Sequence, residues 1–274
     1  MVLMHLKEIK TYLSTKICPK VFRFNSDTQG IQYGKFKDNR LIKKVLLTIH
    51  ISLEAIHFAL KNKVNLIIAQ HSLIIKPIKK FNPTLINKLT LLSKSPISIN
   101  VLGSSFIAAE GGLTDTLVNA LHFKVDRLFE VKNREGMKIP IGRICSPMKY
   151  LDNKKPITLK DVIHRIKTNL NLDYVSYIGD LGTIIKKACI IAGDNSNMNF
   201  IKKAVNKGCD CYISGKINNS EASFARDIGV NLIEISPYKT EIIALKKLCN
   251  ILSLEFPHVG FLLFESKDPI KTYF

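Results

Sequence analysis

The feature that most constrains this chain is a strand–helix–strand run between residues 45 and 70. Val45-Leu-Leu-Thr-Ile-His50 is a short apolar run. Ser52 then stands as an N-cap for a helix over Leu53–Asn62, since its hydroxyl can accept from an orphan amide of the first turn. Val64–Gln70 is a second apolar run, with Leu66-Ile67-Ile68-Ala69 wholly apolar inside it. A strand without polar alternation has to be covered on both faces, which is the mark of a parallel sheet flanked by helices. Two parallel strands joined through a helix form a βαβ unit, so the chain is predicted to be α/β. The strand leaves through Gln70-His71-Ser72, and the carboxyl edge of an open α/β sheet is where ligands bind.

A second unit has the same order: a strand over Ala188–Gly193, a Lys-rich helix over Phe200–Lys207, and a strand over Cys209–Gly215. Its exit, Ser214-Gly215-Lys216, holds the place of Gln70-His71-Ser72. We read a weak internal pseudo-repeat of two interlinked α/β lobes with mixed sheets, divided into 1–128 and 129–274. Whether the last segment packs back on the first lobe is left open. Around these units the pattern predicts helices over Leu6–Leu13, Phe81–Ser93, Thr158–Leu170, Glu221–Asp227 and from Ser236 through Cys249. Further strands are expected over Ile97–Leu102, Val230–Ile235 and His258–Phe264, and a short one over Ile139–Pro147. Phe22–Gly34 reads as a loop in which Asp27 contacts a ligand or caps a turn. Gly103–Asp115 reads as a loop opening a helix through Leu121.

Composition sets limits. A chain of 274 residues with 46% hydrophobic content can bury a sizeable core. No run of about 18 apolar residues predicts a membrane span. The N-terminal stretch Met1–Lys10 carries charges inside its apolar pattern, unlike a secretory signal. The six cysteines lie mostly in apolar runs, which suits reduced core thiols in a cytoplasmic protein. Cys209 and Cys211 would share one face of a strand, and no second pair answers them as a zinc knuckle requires. The net charge of +19 suits nucleic acid or an anionic substrate, or follows from an abundance of lysine. The lysine pairs read as solvated helix positions with no interleaved aromatics, which favours abundance.

Chemistry is expected at the strand exits: His50, Gln70-His71, Gly103-Ser104-Ser105, Gly193-Asp194, Gly215-Lys216 and Ser236–Glu241. A hydrolytic metal site needs several imidazoles and carboxylates, and the exits offer His71 and Glu241, with His50 or Asp194 in reach of recruitment. Gly193-Asp-Asn-Ser-Asn lacks a following Gly-Lys-Ser, which excludes a P-loop, and no Gly-x-Ser-x-Gly elbow exists.

Five ordered segments carry a resemblance to the Nif-three-like family, hexameric dinuclear-metal proteins known as GTP cyclohydrolase type two homologues. Asn25–Gly34 is similar to its Trp-Asp-Asn-x-Gly-Leu-Gln-x-Gly loop, and Leu66–Leu73 to its Leu-Ile-Ile-x-His-His-Pro-Leu strand. Ala108–Leu117 resembles the segment after its His-x-x-x-Asp element. Cys209–Gly215 resembles Ala-Asp-x-x-Ile-Thr-Gly, and Tyr238-Lys-Thr-Glu241 the end of Gly-His-Tyr-x-Thr-Glu. The resemblance implies a ring-shaped homo-oligomer, and two metal ions held by the His pair, the Asp, and the last His and Glu. Here Gln70 replaces the first His of the pair, Ile107 the Asp, Gly103 the His before it, and Pro237 the last His. Lys216 replaces an acidic residue, and the Asn218-Asn219 region a further His.

The expectation is therefore a divergent member with a degraded metal site, acting as a non-catalytic binding or assembly module. His71 and Glu241 are the remnant ligands, with low occupancy expected. Asp27, His50, Gln70, Asp194, Lys216 and Tyr238 are candidate ligand or anion contacts. No cofactor is expected; if one binds, it is a divalent zinc, iron or manganese ion. The alternatives are a metal-dependent hydrolase of nucleotides or phosphate esters, and a nucleic-acid-binding ring. A homo-oligomer in the cytoplasm, with no membrane partner, completes the expectation.

Overall fold

A computed structural model describes residues 4–24, 28–34, 39–75, 78–149, 155–266 and 268. In chain order the elements are α1 (Leu6–Tyr12), running into a π turn (Leu13–Ile17), β1 (Gly30–Tyr33), β2 (Lys44–Thr48), α2 (Leu53–Lys61), β3 (Leu66–Ala69), α3 (Pro83–Ser93), β4 (Ser98–Val101) and α4 (Ser104–Ala108). Then come α5 (Leu113–Ala120), β5 (Phe123–Lys132), β6 (Lys138–Pro147), α6 (Leu159–Asn169), β7 (Ser176–Ile178), β8 (Ala188–Ile191), α7 (Met198–Asn206), β9 (Cys211–Ser214), α8 (Asn219–Asp227), β10 (Asn231–Glu234), α9 (Pro237–Glu255) and β11 (Gly260–Phe264). The chain forms two compact units, Met1–Phe106 with Ala244–Phe274, and Ile107–Ile243.

The first unit is a five-stranded sheet in the order β1-β4-β3-β2-β11. β11, β2, β3 and β4 are parallel, and β1 runs antiparallel on the edge. All four residues of β3 are buried, as an unbroken apolar run in a parallel sheet requires. The core packs Leu46, Ile67, Ile99 and Val101 of the strands on Ile56 and Ala59 of α2 and Leu92 of α3. Each such Leu or Ile stabilises the fold by roughly 1.5–3 kcal/mol. Ser52 caps α2, accepting from the Ala55 amide at 3.0 Å. Two segments expected as loop differ. Gly30–Tyr33 is a strand whose four residues are all half-buried, so it shows no apolar alternation to read. Ser104–Ala108 is a short helix. Asp27 lies outside the described residues.

The second unit is a six-stranded mixed sheet in the order β5-β6-β8-β9-β10-β7. β8, β9 and β10 are parallel, while β5, β6 and β7 join antiparallel. The sequence pattern places β6 to within one residue and does not reveal β5, its partner in one long hairpin. Its register shifts twice, between Val125 and Arg127 and between Phe129 and Val131, and each shift breaks the period-2 pattern. The Asn133 side chain closes the turn, accepting from the amides of Glu135 at 3.0 Å and Met137 at 2.9 Å. The capping box expected at Thr158 forms with Asp161. A second box joins Asn218 to Glu221.

The lysine pairs are less helical than expected. Lys202-Lys203 and Lys246-Lys247 lie on helices, but Lys43-Lys44 begins a strand and Lys186-Lys187 directly precedes one. The thiols are all free; Cys249 is half-buried and the other five are buried. Burial pushes Cys145 up to about 12, and Cys18 and Cys209 up to about 11. Among the described residues, no helix is long and apolar enough to cross a membrane.

Candidate functional site

In the first unit the parallel register carries past the strand ends. Thr48 pairs with Ala69, and two residues further on the rings of His50 and His71 stack, centroids 4.6 Å apart and 16° from parallel. The His71 amide donates to the Ile49 carbonyl at 3.0 Å, and the Gln70 amide to the Thr48 carbonyl at 3.0 Å. His50 is exposed and His71 half-buried. Gln70 is 1% exposed. Its Nε2 donates to the Gly103 carbonyl at 3.1 Å, while among the described residues its buried Oε1 has no hydrogen-bond partner. Two further glutamines hold the rim. Gln32 of β1 bonds the Ser72 hydroxyl at 2.7 Å and accepts from the Leu73 amide at 3.0 Å. Gln29 accepts from the Ser105 hydroxyl at 2.8 Å.

In the second unit the exits of β8 and β9 meet the start of α9. The Gly193 amide donates to the Thr240 hydroxyl at 3.1 Å, and that hydroxyl donates to the Pro237 carbonyl at 2.8 Å. The Gly215 amide donates to the Gly193 carbonyl at 3.1 Å. The backbones are so close that a Cβ on Gly215 would stand 2.4 Å from the Gly193 carbonyl oxygen. Glu241 is 2% exposed, and its Oε1 lies 3.3 Å from where a Gly193 Cβ would be. Ile107 reaches the same spot, at 4.0 Å, and is itself 6% exposed. Asp194 and Lys216 form an exposed ion pair at 3.5 Å. Tyr238 is half-buried in the first turn of α9.

The structure thus brings His50 to His71, and Asp194 to Lys216. Among the described residues, no three His, Cys, Asp or Glu side chains gather as a metal-holding group. Two arrangements escaped sequence reasoning. One is the His50–His71 stack, whose signal is the register of β2 on β3. The other is a buried cation: Arg143, 3% exposed, holds Asp115 through Nε at 2.5 Å and Nη2 at 3.1 Å, and its Nη1 donates to the Pro140 carbonyl at 2.7 Å.

The family model described as Duf34/NIF3 (NGG1p interacting factor 3) matches residues 4–269. The chain belongs to this family. Relatives share most of its span: a "GTP cyclohydrolase 1 type 2 homolog" of Clostridium perfringens is 28% identical over 93% of this chain and 95% of its own length. One of the same name from Methanocaldococcus jannaschii is 24% identical over 91% of this chain and 95% of its own. A Bacillus cereus protein related to NIF3 superposes with a TM-score of 0.83 at 16% identity, covering 100% of both chains. A Staphylococcus aureus hypothetical protein superposes with a TM-score of 0.82 at 20% identity, covering 99% of this chain and 100% of its own. These likenesses establish the NIF3 fold for both units.

Proposed function

We propose that this NIF3 protein is a non-catalytic binding or assembly module whose two-metal centre has been given up. The observation that carries this reading is Gln70, whose amide nitrogen is engaged by the Gly103 carbonyl where the resemblance puts an imidazole. The rest of the donor set supports it. Ile107 and Pro237 offer no side-chain ligand, and a bridged pair of cations needs several hard or imidazole donors to offset dehydration. His50 does not make good the loss. Its ring lies nearly parallel to His71, and lone pairs in two stacked planes do not converge on one ion. The remaining donors, His71 and Glu241, do not fit a two-ion centre. Lys216 brings a cation to a family acidic position, and within the second unit it pairs with Asp194; these two and Tyr238 are candidate ligand or anion contacts.

Metal analysis of protein purified without chelator tests this. The expected content is well below one ion per chain, rising when Gln70→His, Ile107→Asp and Pro237→His are combined. Near-stoichiometric zinc, iron or manganese together with nucleotide hydrolysis overturns it. A metal-dependent hydrolase is the second reading, favoured by the name its relatives carry and by the burial of Glu241. On that reading His71→Ala and Glu241→Ala abolish metal uptake. The net charge of +19 motivates a third, nucleic-acid binding by a homo-oligomer, for which affinity must fall steeply with salt.

A further inference from the structure

We propose that the groove between the exit of β3 and the start of α3 is a docking site for an acidic amphipathic helix of a partner protein. It is an open cavity of about 750 Å³ in the first unit. This groove functions whether or not the strand exits hold a metal.

Its walls are aliphatic. Leu73, Ile74, Ile75 and Ile78 come from the chain leaving β3, and Leu85 from the first turn of α3. Leu73 packs on the core of the first unit, but Ile74 and Ile78 are each 40% exposed and Ile75 is 76% exposed. Phe81 and Ile86, close by in the chain, are exposed as well. Hydrogen bonds fix the backbone that presents these side chains. The Gln32 side chain accepts from the Leu73 amide at 3.0 Å, and the Ser72 hydroxyl from the Ile74 amide at 3.1 Å. Asn82 caps α3, accepting from the Leu85 amide at 2.8 Å. An aliphatic side chain held in water forgoes the free energy of its burial. A contiguous apolar patch with a polar rim is the mark of an interaction surface.

The charge around the groove selects the partner. Lys79, Lys80 and Lys88 line it, and among the described residues no acidic side chain does. The imbalance extends well beyond the groove: between Glu54 and Glu110 the chain carries seven lysines and no Asp, Glu or Arg. Lys88 is half-buried, and burial lowers its pKa, so a carboxylate brought beside it offsets a desolvation already incurred. The isoleucines alone would accept any apolar face, and the lysines restrict it to one flanked by carboxylates. A helix with apolar residues at i, i+3, i+4 and i+7 and Asp or Glu beside them meets both needs. A second copy of this chain, meeting groove to groove, would set the lysines against their own images. Nucleic acid would satisfy the lysines and leave the isoleucines in water. A flat bilayer would pass over a concave site.

The test is fluorescence anisotropy on the whole chain at about 0.15 M salt. The probe is a labelled helical peptide with Leu at i, i+3, i+4 and i+7 and Glu between. Its controls are a scrambled peptide of the same composition and a Leu/Lys peptide of the same period. The periodic Leu/Glu peptide is expected to bind in the micromolar range, at least about tenfold more tightly than either control. Ile75→Ser with Ile78→Ser, and Lys79→Ala with Lys80→Ala, should each weaken it by about tenfold or more. All four residues are exposed, so both double variants keep the fold, which an unchanged denaturant midpoint verifies. Any of four results overturns the proposal. Binding no tighter than that of the scrambled peptide assigns the affinity to net charge alone. Affinity unmoved by the isoleucine pair places the peptide elsewhere. A smaller oligomer in sedimentation of the isoleucine variant puts a second copy over the groove. Vesicles of phosphatidylcholine and phosphatidylserine that displace the peptide make the surface a lipid site.

Discussion

The two units repeat a strand–helix–strand core and close its carboxyl edge by different means. In the first, backbone bonds from Gln70 and His71 to β2 are overlaid by side-chain contacts: Gln70 on Gly103, Gln32 on Ser72, His50 on His71. In the second, β8 and β9 end in backbone: the Gly215 amide on the Gly193 carbonyl, with Thr240 tying in α9. Side chains can be exchanged or rotate away, whereas backbone in contact has no such freedom. The first edge should therefore tolerate replacement and the second should not.

The largest effect tests the second unit's polar interior. Arg143 and Asp115 are tied by two hydrogen bonds, with the arginine buried. Removing one partner of a buried pair leaves the other charge uncompensated, which costs about 3–5 kcal/mol. Arg143→Ala should lower the denaturant midpoint accordingly, and a loss under 1 kcal/mol would mean Asp115 is solvated. Gly215→Ala comes next. Its Cβ would meet the Gly193 carbonyl oxygen at 2.4 Å and carbonyl carbon at 2.9 Å, neither of which is a flexible side-chain end, so we expect a loss of roughly 3 kcal/mol. The matched change on the first edge is Gly30→Ala. Among the described residues nothing lies within 4 Å of that Cβ, and the φ of +93° resists, for about 1–2 kcal/mol. Equal costs for the two glycines would break the comparison.

The thiols give a pH test. Burial raises Cys145 to about 12 and Cys209 to about 11, and raises Cys189 and Cys211 as well, all in the second unit. In the unfolded chain these groups ionise near 9, whereas the folded chain keeps them protonated. The unfolded state then binds fewer protons, so stability is full below pH 9 and falls as pH rises toward the folded values. Each thiol contributes a slope of up to about 1.4 kcal/mol per pH unit in that window. In the first unit Cys18 alone is fully buried. Hydrogen exchange between pH 9 and 10.5 should therefore show the second unit opening first, and Cys145→Ala should flatten its slope.

How much of this was legible follows from what each residue signals. Leu66–Ala69 announced a parallel strand because all four side chains are apolar and all are buried. Phe123–Lys132 announced nothing, since only Phe123, Phe129 and Val131 are buried and two register shifts separate them. The motif loops were readable as family marks, yet what they touch was not. Gln70 showed as a missing imidazole, but its bond to Gly103, 33 positions on, depends on β3 lying beside β4. His50 and His71 were separate candidates until the pairing of Thr48 with Ala69 set them opposite. Arg143 and Asp115 carried no local pattern at all. Spacing within one element is written in sequence; contact between elements depends on strand order and register, which short-range pattern does not contain.

The smallest expected effect bears on the first edge most directly. Gln70→Leu removes the hydrogen bond to Gly103 and leaves that carbonyl one partner short, at about 1 kcal/mol. It also removes Oε1, which is buried without a partner and so carries a desolvation penalty of similar size. A leucine of nearly the same volume fills the space with apolar atoms. The two polar terms oppose each other, so the net change should stay within about 1 kcal/mol in denaturant titration. A loss above 2 kcal/mol would mean that Oε1 has a partner in solution, either water or a bound ion. The metal reading would then regain ground, because an oxygen donor beside His71 would be serving a ligand.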